Sequence, residues 1–117
     1  MSGGWIGVDL DGTLAHYERW IDETHIGAPV PVMVARVKKW LAEGREVRIF
    51  TARAFSMAGQ DLPHVVAAVQ AWCVEHIGQA LAVTCRKDYA MIELYDDRAV
   101  QVVPNTGELV GHSTRGL

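Results

Sequence analysis

The chain has few of the features that would assign it to a specialised class. It has only two cysteines, Cys73 and Cys85, which fall in a helix-like and a strand-like pattern. A disulfide framework or a thiolate metal site is therefore not expected, and both read as buried thiols. Eleven basic residues stand against fourteen acidic ones for a net charge of -3, and no run of lysine or arginine is longer than Lys38-Lys39. A broad surface for duplex nucleic acid is excluded on that ground, although a nucleotide or a strand end is not. No apolar run approaches the roughly 20 residues that span a bilayer, and Met1-Ser2-Gly3-Gly4 lacks the basic and apolar regions of a signal peptide. The expectation is a soluble, cytoplasmic protein without a membrane partner. Internal repeats, linkers and low-complexity segments are also missing. With 117 residues, 50% of them apolar, one domain with one core (1–117) is the expected organisation.

What is present alternates between strand and helix. Trp5-Ile6-Gly7-Val8 is a short apolar run ending at Asp9, with Gly12 supplying a turn, as in a buried parallel strand. Residues 15–31 break the pattern with aromatics, Gly27, Pro29 and Pro31, which suggests an irregular flap. Met33, Val37, Trp40 and Leu41 recur at helical spacing between Pro31 and the expected stop at Gly44. Residues 46–50 read as a second strand that ends at Thr51-Ala52-Arg53. A second helix is expected after Asp61 as its cap, with Pro63 in its first turn and Leu62, Val65, Val66, Val69, Trp72, Cys73 and Ile77 on a broad apolar face before Gly78.

Residues 80–85 read as a third strand leading to Arg86-Lys87, and residues 91–95 as a fourth leading to Asp96-Asp97. Residues 99–103 are expected to form a last strand, with Pro104-Asn105-Thr106-Gly107 turning into Glu108-Leu109-Val110, and the tail from Gly111 onward to be loosely held. This alternation predicts an α/β fold with a parallel sheet whose ligands sit at the carboxyl ends of the strands. Four polar clusters fall at those ends.

Phosphoryl chemistry explains why these residue types recur there. A carboxylate is a poor nucleophile toward an anionic phosphate until the phosphate charge is neutralised. A divalent cation with oxygen ligands, a fixed positive charge and a hydroxyl donor meet that need. Asp9 and Asp11 on one turn, Asp96 and Asp97, Lys87 and Thr51 are the candidates for these parts.

In Asp9-Leu10-Asp11-Gly12-Thr13-Leu14, Thr51 within Phe50-Thr51-Ala52-Arg53, Lys87 after the third strand, and Asp96-Asp97, the chain resembles the haloacid dehalogenase superfamily. The four motifs stand in that family's order and span residues 5–103. The resemblance implies a three-layer Rossmann-like core and a magnesium-dependent phosphatase. Asp9 would be the nucleophile, forming an aspartyl-phosphate, and Asp11 the general acid and base. Asp9, the Asp11 backbone carbonyl and Asp96 would hold Mg2+, with Asp97 binding through water or orienting Lys87. Thr51 and Lys87 would hold phosphate oxygens, and Arg53 is a candidate substrate contact. An acid at Asp11 favours phosphoryl transfer over dehalogenation, since a halide leaves without a proton.

Many relatives carry a cap domain, and the gaps between the motifs here leave no room for one. Only the flap at 15–31 precedes the first helix, so the site is open and a second subunit is a candidate cap. The expected substrate is a phosphate monoester, with a nucleotide or the 3'-phosphate end of a nucleic acid leading. The alternatives are a phosphotransferase or mutase with the same residues, and a non-catalytic phosphate-binding regulatory module.

Overall fold

A computed structural model describes residues 3–111. Most of the expected tail beyond Gly111 therefore lies outside the described residues. The sequence of elements is β1 (Trp5–Asp9), α1 (Pro31–Ala42), β2 (Glu46–Phe50), α2 (Pro63–His76), β3 (Ala82–Thr84) and β4 (Met91–Tyr95). The four strands form one sheet in the order β3-β2-β1-β4, and every pairing is parallel. β1 is central, and its first four residues are buried. A strand covered on both faces needs a continuous apolar run, and 5–8 supplies it.

The two helices share one face of the sheet. Strand side chains alternate in direction, so Ile6 and Val8 of β1 face the same way as Val47 and Ile49 of β2. These four belong to one buried cluster with Met33, Val34 and Val37 of α1 and Val65, Val69 and Cys73 of α2. Each helix opens on a proline, which has no N–H to leave unpaired in the first turn.

The opposite face is built differently. Residues 85–90 lead from β3 at one edge of the sheet to β4 at the other, and no helix lies between those strands. Trp5, fully buried on this face, is closed over by side chains. The Arg48 guanidinium lies 4.5 Å from its ring centroid, Phe50 stacks on it at 6.5 Å, and its indole N–H donates to Asp88 at 2.8 Å. The protein is thus a small α/β fold with a four-stranded parallel sheet and two helices. The second helical layer of a three-layer arrangement does not occur among the described residues.

Three boundaries differ from expectation. Asp61 does not cap α2: its backbone bridges Phe55, and Leu62 donates to the Ala54 carbonyl at 2.9 Å. The cap position falls on Leu62, without a side-chain hydrogen bond. Residues 99–103 do not add a fifth strand, because 101–103 pair with the segment just beyond their own turn. Val103 donates to Glu108 at 2.8 Å, Val110 donates to Gln101 at 2.9 Å, and Asn105 turns the chain at φ 66°. β3 is also shorter than the expected 80–85.

No helix among the described residues is long and apolar enough to cross a membrane.

Candidate functional site

The carboxyl ends of β1, β2 and β4 converge on one cavity. After Asp9 the chain makes a tight turn, with Leu14 donating to the Leu10 carbonyl at 3.0 Å and Ala15 at 2.9 Å. Leu10 and Leu14 are fully buried and pin this turn to the core. The polar residues between them are left at the sheet edge. Gly12 sits at φ +89°, and the space a β-carbon would take is filled by the Asp97 carboxylate, whose Oδ2 would be 2.5 Å away. Glycine is needed there on both counts.

Asp9, Asp96 and Asp97 each offer a carboxylate oxygen, all within 4.8 Å of one another. Asp96 is fixed by its own loop, accepting backbone N–H bonds from Arg98 at 2.7 Å and Ala99 at 3.2 Å. Burial, then a hydrogen bond shared with Asp97, then the charges of Asp96 and Asp97 push the Asp9 carboxyl up to about 7. The Thr13 hydroxyl, donating at 3.3 Å, works in the opposite direction. Crowded hard-oxygen donors of this kind fit a divalent cation that prefers oxygen ligands, and a cation there would relieve the repulsion that Asp9 experiences.

Thr51 follows β2 and is 3% exposed. Its Oγ1 accepts the Arg53 backbone N–H at 3.2 Å, which leaves the hydroxyl proton available to a ligand oxygen.

Asp11 is turned to a different partner. Its two carboxylate oxygens accept from Arg53, Oδ2 from Nε at 3.1 Å and Oδ1 from Nη2 at 2.9 Å. The remaining Arg53 nitrogen, Nη1, donates to the flap carbonyls of Asp22 and Glu23 at 2.9 and 3.1 Å. The guanidinium carbon lies 4.7 Å from the centroid of the Trp20 ring. Arg53 is therefore a latch between flap and core, with its side chain 3% exposed. His64, in the first turn of α2, pairs with Glu23, and the Trp72 indole N–H donates to the Gly27 carbonyl at 2.9 Å.

Asp9, Asp11, Thr51, Arg53, Asp96 and Asp97 all line a cavity of about 520 Å³. Lys87 does not; it is exposed, on the loop that follows β3. Arg98 does line it, as do Tyr17, Trp20, Phe55 and Leu62 on the side formed by the flap and the loop after β2.

The Arg53 network is the main feature that sequence reasoning missed. Asp11 and Arg53 are 42 positions apart, so no local pattern links them. The usable signal is register: Asp9 pairs with Phe50 in adjacent parallel strands, which brings the residues just beyond each into reach. Compared with protein families, curated proteins and solved structures, the chain matches none.

Proposed function

We propose that the protein is a phosphate monoester hydrolase of the haloacid dehalogenase type, without a cap domain, working with magnesium through an aspartyl-phosphate. The observation that carries this reading is the meeting of Asp9, Asp96 and Asp97 at the carboxyl edge of a parallel sheet, with Thr51 lining the same cavity.

In this reading Asp9 attacks phosphorus and the bond to the leaving oxygen breaks. Asp11 gives that oxygen a proton, then takes one from the water that cleaves the aspartyl-phosphate. Both Asp11 oxygens are engaged by Arg53, so one must be released or shared for the transfer. The Thr51 hydroxyl donates to a phosphate oxygen. Lys87 is the proposed source of fixed positive charge, and reaching Asp9 would require the loop 85–90 to move, because its neighbour Asp88 is bonded to Trp5 at the start of β1. Asp9, Asp96 and the Asp11 carbonyl would hold magnesium, with Asp97 beside them, and the ion would neutralise phosphate charge. In this reading the four-stranded sheet with its single helical layer is a reduced form of the family's three-layer core, with the loop 85–90 and Trp5 on the face where the second helical layer would pack.

Incubation with magnesium and a panel of phosphorylated sugars, nucleotides and oligonucleotides tests the reading. Phosphate release that disappears in Asp9→Asn, with the circular dichroism unchanged, is the expected result. No hydrolysis of any member, together with no acyl-phosphate trapped from labelled substrate, overturns it. Added alcohol acceptors separate transfer to water from transfer to a second substrate.

A further inference from the structure

The cavity is lined by two chemically different sets of residues. The strand ends bring Asp9, Thr51, Asp96 and Asp97 to its lining; the flap and the loop after β2 bring Tyr17, Trp20, Phe55 and Leu62. Trp20 is 54% exposed and Tyr17 40%, so neither is consumed by the core.

Trp20 is unusual for an exposed flap residue because its ring is backed by a fixed partner. The Arg53 guanidinium lies against it, and that guanidinium is held by four hydrogen bonds, two to Asp11 and one each to the carbonyls of Asp22 and Glu23. A tryptophan pinned in this way is a preorganised platform, for which most of the ordering cost of stacking is met before a ligand arrives. Charge sets the size of what can stack there. Among the residues lining the cavity, the cations are Arg53, committed to the latch, and Arg98, against five acids. A strand with several phosphates would meet repulsion without compensating cations. A single phosphate directed to Asp9, with a planar ring on Trp20, avoids it.

We infer that the leaving-group side is a nucleobase site, with Trp20 as its stacking platform, and that the substrate is a nucleoside monophosphate rather than the end of a nucleic acid. The phosphate half of this inference rests on the proposed phosphohydrolase reading; the base half rests on Trp20, Arg53 and the charge of the cavity.

Adenosine 5'-monophosphate, ribose 5-phosphate and a 3'-phosphorylated oligonucleotide are compared with magnesium present. Base stacking on an aromatic residue predicts about a 5- to 150-fold preference in kcat/KM for the nucleotide over the sugar phosphate. Trp20→Ala is expected to bring that ratio close to one, and Trp20→Phe to retain most of it. A wild-type ratio near one, a ratio that survives Trp20→Ala, or preferred hydrolysis of the oligonucleotide overturns the inference. Calorimetric binding of the same three compounds separates the two readings if nothing is hydrolysed. Tighter binding of the nucleotide that is lost in Trp20→Ala then supports the base site while the hydrolase reading fails. Equal or undetectable binding removes the base site as well.

Discussion

Arg53 grips both carboxylate oxygens of Asp11, at 3.1 and 2.9 Å, across the gap between the ends of two adjacent strands. The same guanidinium holds the flap through the carbonyls of Asp22 and Glu23. One side chain thus couples the proposed acid to the segment that covers it.

Removal of that fork leaves a largely buried carboxylate without its partner and frees the flap. Arg53→Ala is expected to lower stability by about 2–4 kcal/mol in urea titrations. It should also speed trypsin cleavage at Arg19, an exposed residue of the flap. Arg53→Lys should recover only part of the loss, because one ammonium cannot reproduce a planar fork with two further carbonyl bonds. Cleavage at Arg19 as slow as in the wild type would refute the latch.

Proton and metal compete for Asp9. Its carboxyl is raised to about 7 in the fold from 3.8, so the native state binds that proton more tightly than the unfolded chain. Stability from this group is therefore greatest at low pH and is lost as pH rises from about 4 to about 7. Asp22 and Asp88 shift in the opposite direction, downward, so their contributions are present above the ordinary carboxylate value and are lost as pH falls through it and below, outside the window from pH 5 to pH 8. Between pH 5 and pH 8 the melting temperature of metal-free wild type should fall relative to that of Asp9→Asn. Magnesium should raise the wild-type melting temperature more at pH 8 than at pH 5, since it binds the ionised cluster. Equal magnesium shifts at both pH values would contradict the linkage.

The two thiols should behave differently. Burial pushes Cys73 up to about 11, whereas Cys85 lies half-buried just past β3. In the native protein at pH 8, a disulfide reagent should titrate one thiol quickly and the second only after denaturant is added. Two fast thiols would show that α2 opens readily from the sheet.

The legible parts of the fold are those set by local chemistry. Pro31 and Pro63 suit the first turn of a helix because no N–H is left unpaired there, and the apolar run at 5–8, short and bounded by Gly4 and the turn at Gly12, fits a covered strand. Asp61 was misleading because a cap depends on where the preceding backbone pairs, and Leu62 donates to Ala54. Residues 99–103 have strand-like composition, yet their partner is their own turn and not the open edge of β4. Within the site, the acids could be located from strand ends alone. The direction of Asp11 could not, since it depends on a partner from another strand, and neither could the exposed position of Lys87, which follows from the path of the loop 85–90.

Gly12 offers a test that separates backbone strain from the geometry of the acidic cluster. Its φ of +89° disfavours any residue with a β-carbon, at a cost of about 1–2 kcal/mol. Gly44 has a similar φ of +81° with nothing within 4 Å of the same position. Gly44→Ala should therefore show the backbone cost alone and keep its response to magnesium. In Gly12→Ala the new methyl group would stand 2.5 Å from Asp97 Oδ2 and 2.9 Å from its carboxyl carbon, so the carboxylate must move. That variant should lose a comparable amount of stability and also much of the magnesium-induced rise in melting temperature. If the two variants respond to magnesium alike, the placement of Asp97 against the Asp9 turn does not matter to the cluster. A selective loss in Gly12→Ala would tie the glycine of the turn to metal affinity through Asp97, a residue 85 positions further along the chain.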